Sequence, residues 1–214
     1  MPVKVCCDTI DFYGLKTPFR AGCFGSSRTG KTTSIFKFLD SELIDQKFQN
    51  IYFCSPNLSK HPDSWEDKIE ANFTYLNKIP DRSFFENIEL DSLIIIEDFW
   101  LEACKSEEIS NLFKVYSGKL NLSIFITCQN PFEGKYSKTI RNNINYFLLF
   151  KNLGDVNINR NLTKQLGLYN EYKMAVERSN AYDFALINMN LASELPQTVL
   201  FNVFAKQPTL FNKS

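Results

Sequence analysis

Short apolar runs alternate with segments of helical periodicity along most of the chain. Each run ends at polar or turn-forming residues, which is typical of buried strands. The runs in the first two thirds of the sequence are Phe19–Phe24, Ile51–Cys54, Leu93–Ile96, Ser123–Thr127 and Tyr146–Phe150. Because Leu93–Ile96 is apolar throughout, it favours a strand of a parallel sheet that is covered on both faces.

Apolar residues with helical spacing mark the segments between these runs. The predicted helices are Thr32–Leu43, Pro62–Ala71, Glu107–Val115, Val156–Leu168 and Tyr169–Ser179. Two further apolar runs, Phe184–Ile187 and Thr198–Phe204, are predicted to extend the sheet. The alternation predicts an α/β fold of three layers with a mainly parallel central sheet. We expect one domain over residues 1–214, since no linker divides the chain.

A phosphate-binding motif stands between the first predicted strand and the first predicted helix. The segment Gly25-Ser26-Ser27-Arg28-Thr29-Gly30-Lys31-Thr32 matches G-x-x-x-x-G-K-[ST] in full. Its backbone N–H groups and the start of the helix form a cradle for phosphate oxygens. Lys31 is expected to reach the β- and γ-phosphates of ATP, and the Thr32 hydroxyl to bind Mg²⁺. Thr33 completes the predicted nucleotide-binding set, in which Arg28 is a surface residue or a nucleotide contact.

Two acids follow the apolar run Leu93–Ile96 directly, at Glu97 and Asp98. A buried parallel strand delivers such residues to the edge of the sheet where ligands bind. We predict that Glu97 holds Mg²⁺ through water and that Asp98 orients or deprotonates the attacking water. The spacing between Lys31 and Glu97 leaves room for one intervening strand and its connections.

Two later residues are candidates for contacts with the γ-phosphate. Gln129 follows the strand Ser123–Thr127, and motor ATPases place such a further strand between the P-loop strand and the acidic strand. Asn130 is the second choice for this sensor. Arg141, just before Tyr146–Phe150, is either an arginine finger or a charge at a helix C-terminus. Arg20 and Arg160 are weaker candidates for the finger.

The formal net charge is zero, with 24 basic and 24 acidic residues, which excludes a simple basic nucleic-acid coat protein. The balance hides an asymmetry, because residues 40–108 carry 16 acids and 6 bases whereas residues 109–173 carry 9 bases and 3 acids. The basic stretch is therefore expected to face a polyanion or the nucleotide of a neighbouring subunit.

Cysteine usage and hydropathy limit the classes further. The cysteines form no C-x-x-C pair and the single histidine is His61, which argues against structural zinc and haem attachment. Cys23, Cys54 and Cys128 lie in apolar runs, as expected for reduced core thiols. No run of 18 apolar residues and no signal-peptide core occur in the sequence, so we predict neither a membrane span nor secretion.

Taken in order, the segments GSSRTGKTTSIFKFL, LIIIEDFW, IFITCQNPF and TIRNNINYFLLFKN resemble the genome-packaging ATPases of double-stranded DNA viruses. These form the poxvirus-type and polinton-like branch of the FtsK–HerA superfamily. The resemblance covers residues 19–152, and residues 153–214 extend the sheet. It implies a RecA-like P-loop NTPase of the ASCE type that hydrolyses ATP with Mg²⁺. By position, Gln129 matches the sensor and Arg141 the finger of these enzymes.

The resemblance also implies partners. It predicts a homo-oligomeric ring of five or six subunits that pushes double-stranded DNA into a capsid, with capsid vertex proteins as further partners. The cytoplasm or nucleus of the infected cell is the implied location, with association with the virion as a further option. DNA contacts are predicted at the basic positions flanking the Gln129 strand, which are Lys114, Lys119, Lys135 and Lys138. The family mostly has Asp first in the acid pair, whereas this chain has Glu97.

Three other functions fit parts of the pattern. A small nucleoside or nucleotide kinase fits the length and the P-loop, but the chain has no arginine cluster for a lid over the phosphates. A non-catalytic nucleotide-binding assembly protein would use the same P-loop only to lock a conformation. A cellular or plasmid DNA pump of the same superfamily usually has extra membrane or guiding domains.

Overall fold

Ten strands form one continuous sheet in the computed structural model, which describes residues 3–6 (backbone), 12–58, 67–151, 156–177 and 183–212. In chain order the strands are β1 (Val3–Cys6), β2 (Arg20–Phe24), β3 (Asn50–Cys54), β4 (Asn72–Leu76), β5 (Leu93–Ile96), β6 (Ser123–Cys128), β7 (Tyr146–Phe150), β8 (Phe184–Asn188), β9 (Thr198–Phe201) and β10 (Thr209–Asn212). All seven strands predicted from apolar runs are present.

The helices of the described residues are α1 (Lys31–Leu39), α2 (Arg82–Glu86), α3 (Trp100–Ala103), α4 (Glu107–Asn111), α5 (Ser117–Lys119), α6 (Ser137–Asn143), α7 (Val156–Leu166) and α8 (Tyr169–Val176). A π-helical turn, Leu112–Tyr116, joins α4 to α5. The predicted helix Glu107–Val115 is therefore one end of a longer helical segment.

Six of the described strands are parallel, in the spatial order β7-β2-β6-β5-β3-β4. The other four continue the sheet beyond β7 as antiparallel strands, in the order β8, β9, β10 and β1. Strand β6 lies between β2, which precedes the P-loop, and β5, which precedes the acids. The predicted insertion of a further strand at this place is confirmed.

The sheet has an apolar core on each face, because successive residues of its strands point to opposite sides. Ile94 and Ile96 of β5 pack on the face covered by helices α2 to α8, whereas Leu93 and Ile95 pack on the face covered by α1. Among the described helices, only α1 packs on this second face of the sheet. Loop residues such as Phe19 and Phe48 complete that layer. The predicted three-layer arrangement is confirmed, with unequal outer layers.

Two predictions about the first half of the chain are wrong. Two strands, β3 and β4, rather than one, lie between the P-loop and Glu97. Strand β4 escaped prediction because it forms an edge of the sheet, where Asn72 and Thr74 are exposed and interrupt the apolar pattern. Of the predicted helix Pro62–Ala71, residues 62–66 lie outside the described residues and residues 67–71 are not helical.

Helix α1 ends at Leu39 instead of Leu43 because its next residues bond elsewhere. The Ser41 hydroxyl donates to the Phe38 carbonyl at 2.9 Å, and the Leu43 carbonyl accepts from the Leu15 N–H at 2.8 Å. Strand β9 likewise ends at Phe201, before Asn202, whose φ is 55°. The ends of α7 and α8 also fall short, and residues 178 and 179 lie outside the described residues.

The thiols of Cys23, Cys54, Cys104 and Cys128 are free and buried, which confirms the core placement predicted for three of them. Burial raises the pKa of Cys54 and of Cys104 to about 12. His61 and Cys7 lie outside the described residues. None of the helices in the described part of the chain has the length and apolarity needed to span a membrane.

Candidate nucleotide site

The segment after β2 forms a tight loop that leads into the N-terminus of α1. Gly30 has φ 89° and ψ 18°, and Arg28 has φ 62°, so two left-handed residues bend the loop. The Thr29 hydroxyl donates to the Ser26 carbonyl at 2.9 Å across this bend. A loop of this shape turns its N–H groups inward, as phosphate binding requires. Arg28 and Thr33 are exposed beside it.

Gly25 is required at the first position of the motif for a steric reason. A Cβ on Gly25 would lie 2.6 Å from the Phe150 Cβ at the end of β7. The Gly25 N–H also donates to the Cys128 carbonyl at 3.1 Å, which fixes the start of the loop beside the end of β6. The loop is thus held between the ends of β7 and β6, the two strands that flank β2.

We expect Gly25→Ala to displace the loop and weaken ATP binding by about tenfold or more, equivalent to about 1.4 kcal/mol of binding free energy. Gly118→Ala is the matched control, because a Cβ at Gly118 has nothing within 4 Å. Since Gly118 lies in a helix, that control is expected to be neutral or to stabilise the fold by about 0.5–1 kcal/mol. Nucleotide titration and thermal unfolding measure both effects, and equal affinities in the two variants would contradict the steric argument.

Lys31 is buried at the start of α1, with its side chain folded onto the loop. Its Nζ donates to the Gly25 carbonyl at 2.9 Å and to the Ser26 carbonyl at 2.8 Å. Burial lowers the pKa of the Lys31 ammonium, and the Asp98 carboxylate partly offsets this shift. The ammonium therefore lies within the phosphate cradle, where its charge is poorly shielded by water.

The structure brings together the two residues predicted to hold Mg²⁺. The Thr32 hydroxyl donates to Oε1 of Glu97, which joins the start of α1 to the end of β5. The Glu97 N–H donates to the Cys54 carbonyl at 2.8 Å, so its backbone is held by β3. A hydroxyl and a carboxylate are the hard oxygen ligands that Mg²⁺ prefers, and the pair fits this ion.

Asp98 has a left-handed backbone, with φ 55°. Its N–H donates to the Thr127 hydroxyl of β6 at 3.2 Å, and its side chain is exposed. A left-handed conformation costs most non-glycine residues about 1–2 kcal/mol, and such strained residues cluster at functional sites. Thr127 escaped prediction as a site residue, although it is a polar residue at the end of an apolar run.

Gln129 reaches the P-loop from the end of β6, since its Nε2 donates to the Ser27 hydroxyl at 2.9 Å. Asp98, Gln129 and Asn130 line one cleft of about 390 Å³. Asn130 Nδ2 donates to Oε1 of Glu133 at 2.8 Å, so this amide is used within its own loop. The contact with Ser27 favours Gln129 over Asn130 as the sensor.

The candidate arginines are held away from the P-loop. Arg141 lies in the last turn of α6, where it donates to the Pro131 carbonyl at 2.6 Å and covers the ring of Phe132. Arg20 is the first residue of β2, at the end of that strand opposite the P-loop, and it donates to the Phe113 carbonyl at 3.0 Å. Arg160 of α7 stands over the ring of Tyr169, with its guanidinium carbon 5.9 Å from the centroid.

The four candidate DNA-contacting lysines are exposed. Lys114 and Lys119 lie on the helical segment that precedes β6, whereas Lys135 and Lys138 follow β6. The turn that carries Lys114 packs against α6, which carries Lys138, whereas Lys119 and Lys135 lie in the segments directly before and after β6.

No protein-family model matches the sequence, and no curated protein matches it. Solved structures match the fold. The genome packaging NTPase B204 from Sulfolobus turreted icosahedral virus 2, in complex with AMP, superposes with a TM-score of 0.60 at 14% identity, over 86% of this chain and 96% of that chain. B204 from Sulfolobus turreted icosahedral virus, described as a DNA-packaging ATPase, gives 0.60 at 13% identity, over 87% and 98%.

The chain has the RecA-like P-loop NTPase fold, which it shares with B204. A third structure, the first of these proteins in complex with ATP-gammaS, agrees, with a TM-score of 0.58 at 13% identity over 86% of this chain and 96% of that chain. The predicted fold and the predicted likeness to a viral packaging ATPase are confirmed at the level of the fold. In this RecA-like fold, the P-loop, the paired acids and Gln129 meet at the edge where ligands bind.

Proposed function

We propose that this protein hydrolyses ATP in a homo-oligomeric ring and uses the energy to translocate double-stranded DNA, packaging a viral genome. The observation that carries the proposal is the convergence of Lys31, the Thr32–Glu97 pair, Asp98 and Gln129 at one edge of the sheet. The likeness in fold to B204, a genome packaging NTPase and DNA-packaging ATPase, supports the coupling to DNA.

Each residue contributes to hydrolysis in a distinct way. The P-loop N–H groups bind phosphate oxygens, and Lys31 leaves the Gly25 and Ser26 carbonyls to neutralise charge on the β- and γ-phosphates. Thr32 and Glu97 would hold Mg²⁺, which neutralises charge on the same phosphates when bound. Asp98 accepts a hydrogen bond from the attacking water and then its proton. Gln129 contacts the γ-phosphate or that water from the end of β6.

The second acid, Asp98, favours water as the acceptor of the γ-phosphoryl group. A kinase positions the hydroxyl of its substrate at this place, whereas Asp98 and Gln129 flank a cleft that is open to solvent. Transfer of the γ-phosphoryl group to water yields ADP and inorganic phosphate, and the proton of the water passes to Asp98.

DNA contact is proposed for the exposed lysines of the basic stretch, through phosphates and without sequence preference. Their exposed positions, on the segments before and after β6, suit a ring of five or six subunits in which each chain contacts a short part of the duplex. Capsid vertex proteins are proposed to bind the assembled ring, in the infected cell or the virion.

The ATPase rate, measured with and without double-stranded DNA at several protein concentrations, tests this function. We expect turnover per subunit to rise with protein concentration, as sites complete in the ring, and to rise several-fold with DNA. Because lysine–phosphate contacts release counterions, the DNA effect should weaken steeply between about 50 and 200 mM salt.

Other outcomes of the same assay would contradict the proposal. Phosphate transfer that requires an added nucleoside or nucleoside monophosphate would identify a kinase. Binding of ATP without turnover, in the presence of Mg²⁺ and DNA, would identify a nucleotide-binding assembly protein. An ATPase rate that is independent of both DNA and protein concentration would contradict the proposed DNA-translocating ring.

A further inference from the structure

Arg141 holds the loop that carries Gln129, residues 129–136, here named the sensor loop. Its Nη1 donates to the Pro131 carbonyl at 2.6 Å, and its guanidinium stands 4.4 Å from the centroid of the Phe132 ring. A charged hydrogen bond of this length and a cation–π contact both restrict the loop. Because Arg141 belongs to α6, the sensor loop is fixed to the helix that follows it.

The far end of the sensor loop is fixed to α3, the helix directly after Asp98. Trp100 Nε1 donates to the Glu133 carbonyl at 3.0 Å, and the Tyr136 N–H donates to the Cys104 carbonyl at 2.8 Å. Gly134, with φ 99°, packs so closely on Cys104 that a Cβ would lie 2.3 Å from the Cys104 Cβ. The loop therefore bridges α3 and α6.

Gln129 itself is exposed at the start of this loop, and its contact with Ser27 spans the gap to the P-loop. An exposed amide is held in place poorly by its own packing, so the backbone after it must set its direction. Pro131 is two residues along the chain, and it is the residue whose carbonyl Arg141 holds. Loss of Arg141 would free this part of the backbone first.

We infer that Arg141 is a positioning residue for Gln129 of the same chain, and not an arginine finger for a neighbouring subunit. Its guanidinium is half-buried and used by Pro131 and Phe132, both of which a finger would have to leave. The inference rests on the proposed function, since it assigns Arg141 a role in ATP turnover through the sensor.

A double-mutant cycle tests the inference. We expect Arg141→Ala to lower the ATPase rate by about 10²-fold, because small misplacement of a reacting group has effects of this size. ATP affinity should stay within about threefold, since Arg141 does not touch the P-loop. Arg141→Ala combined with Gln129→Ala should be no slower than Gln129→Ala alone, because both remove one function. Independent, multiplied losses would overturn the inference.

Mixed rings give a second test. Subunits with Arg141→Ala and subunits with Lys31→Ala should not restore activity when mixed, because each site then lacks one of its own residues. A rate well above the sum of the two separate variants would show that Arg141 acts in a neighbour's site. Asn142→Ala, at an exposed position of the same helix, is the control and should keep the wild-type rate.

The fluorescence of Trp100 reports on the loop without any need for turnover. In a Trp65→Phe background, Trp100 is the remaining tryptophan of the sequence. With Arg141→Ala we expect its emission to move to longer wavelength as the Glu133 contact loosens, and an unchanged spectrum would overturn the inference. If the wild type lacks ATPase activity, the proposed function fails while this measurement still decides whether Arg141 holds the loop.

If Arg141→Ala does not fold, Arg141→Lys and Phe132→Leu can be measured in its place. Lysine keeps the charge but cannot stack its planar group on the ring, and leucine keeps the apolar volume but removes the aromatic face. A positioning role predicts several-fold slower turnover in both variants. Wild-type turnover in Phe132→Leu would show that the ring contact is dispensable and would contradict the inference.

Discussion

Lys31→Ala is expected to reduce ATP turnover by about 10³-fold or more, since loss of one electrostatic contact to a developing charge already removes about 10²–10³-fold. Lys31 is buried in the phosphate cradle, so solvent cannot compensate for the loss of its positive charge. The change also leaves the Gly25 and Ser26 carbonyls without the Lys31 ammonium. Ser26 is only half-buried, and loss of the Lys31 side chain opens space in which water can bond both carbonyls, so the fold should remain.

The matched control is Lys37→Ala, which removes an exposed ammonium from the same helix, where it stands over Phe204 5.7 Å from the ring centroid. That variant should keep the wild-type rate. Steady-state ATPase rates, with circular dichroism to confirm folding, separate the two cases. Activity retained in Lys31→Ala would show that the P-loop is not the catalytic site.

Substitutions of the two acids are expected to impair ATP turnover in different ways. Asp98→Asn removes the proton acceptor and should lower turnover by about 10²–10⁴-fold while ATP and Mg²⁺ still bind. Glu97→Gln removes the carboxylate that contacts Thr32, so it should raise the Mg²⁺ concentration needed for half-maximal activity. Magnesium titrations of ATPase rate and of nucleotide binding distinguish the two.

Glu107→Gln, at an exposed position at the start of α4, is the control for loss of one carboxylate from this region and should leave both titrations unchanged. An altered Mg²⁺ requirement in Asp98→Asn, with a normal one in Glu97→Gln, would reverse the assignment. That result would mean that the second acid holds the ion despite the Thr32–Glu97 contact.

The parallel part of the fold could be predicted because its strands are buried on both faces. Runs such as Leu93–Ile96 contain no polar position, and a run of that kind has few alternatives to a central strand. Strands at the edges of the sheet carry no such signal. β4 alternates exposed polar and half-buried apolar residues, so it lacks the continuous apolar run that identified the buried strands.

The P-loop and the acid pair were predictable for a related reason. Their residues are adjacent in sequence, and the motif dictates the local backbone through Gly25 and Gly30. The contact between Gln129 and Ser27 joins residues 102 positions apart, and it depends on the order of strands in the sheet. Placement of β6 beside β2 made that contact, and the sequence alone left Asn130 as an alternative.

Arg141 shows the limit of prediction from sequence most clearly. From the sequence, its place before β7 allows an arginine finger or a charge at a helix C-terminus, and a long flexible side chain can also reach other partners. The structure directs it to Pro131 and Phe132, through the packing of α6 under the sensor loop.

By itself the sequence determined the class of fold, the phosphate-binding loop and the acids beside it. Those features depend on local periodicity and on backbone geometry within a few residues, so the residues themselves encode them. Only the tertiary structure decided which strands are neighbours, that Thr32 meets Glu97, and which residues hold Gln129. These contacts join distant segments through strand order and packing, and no pattern within one segment carries that information.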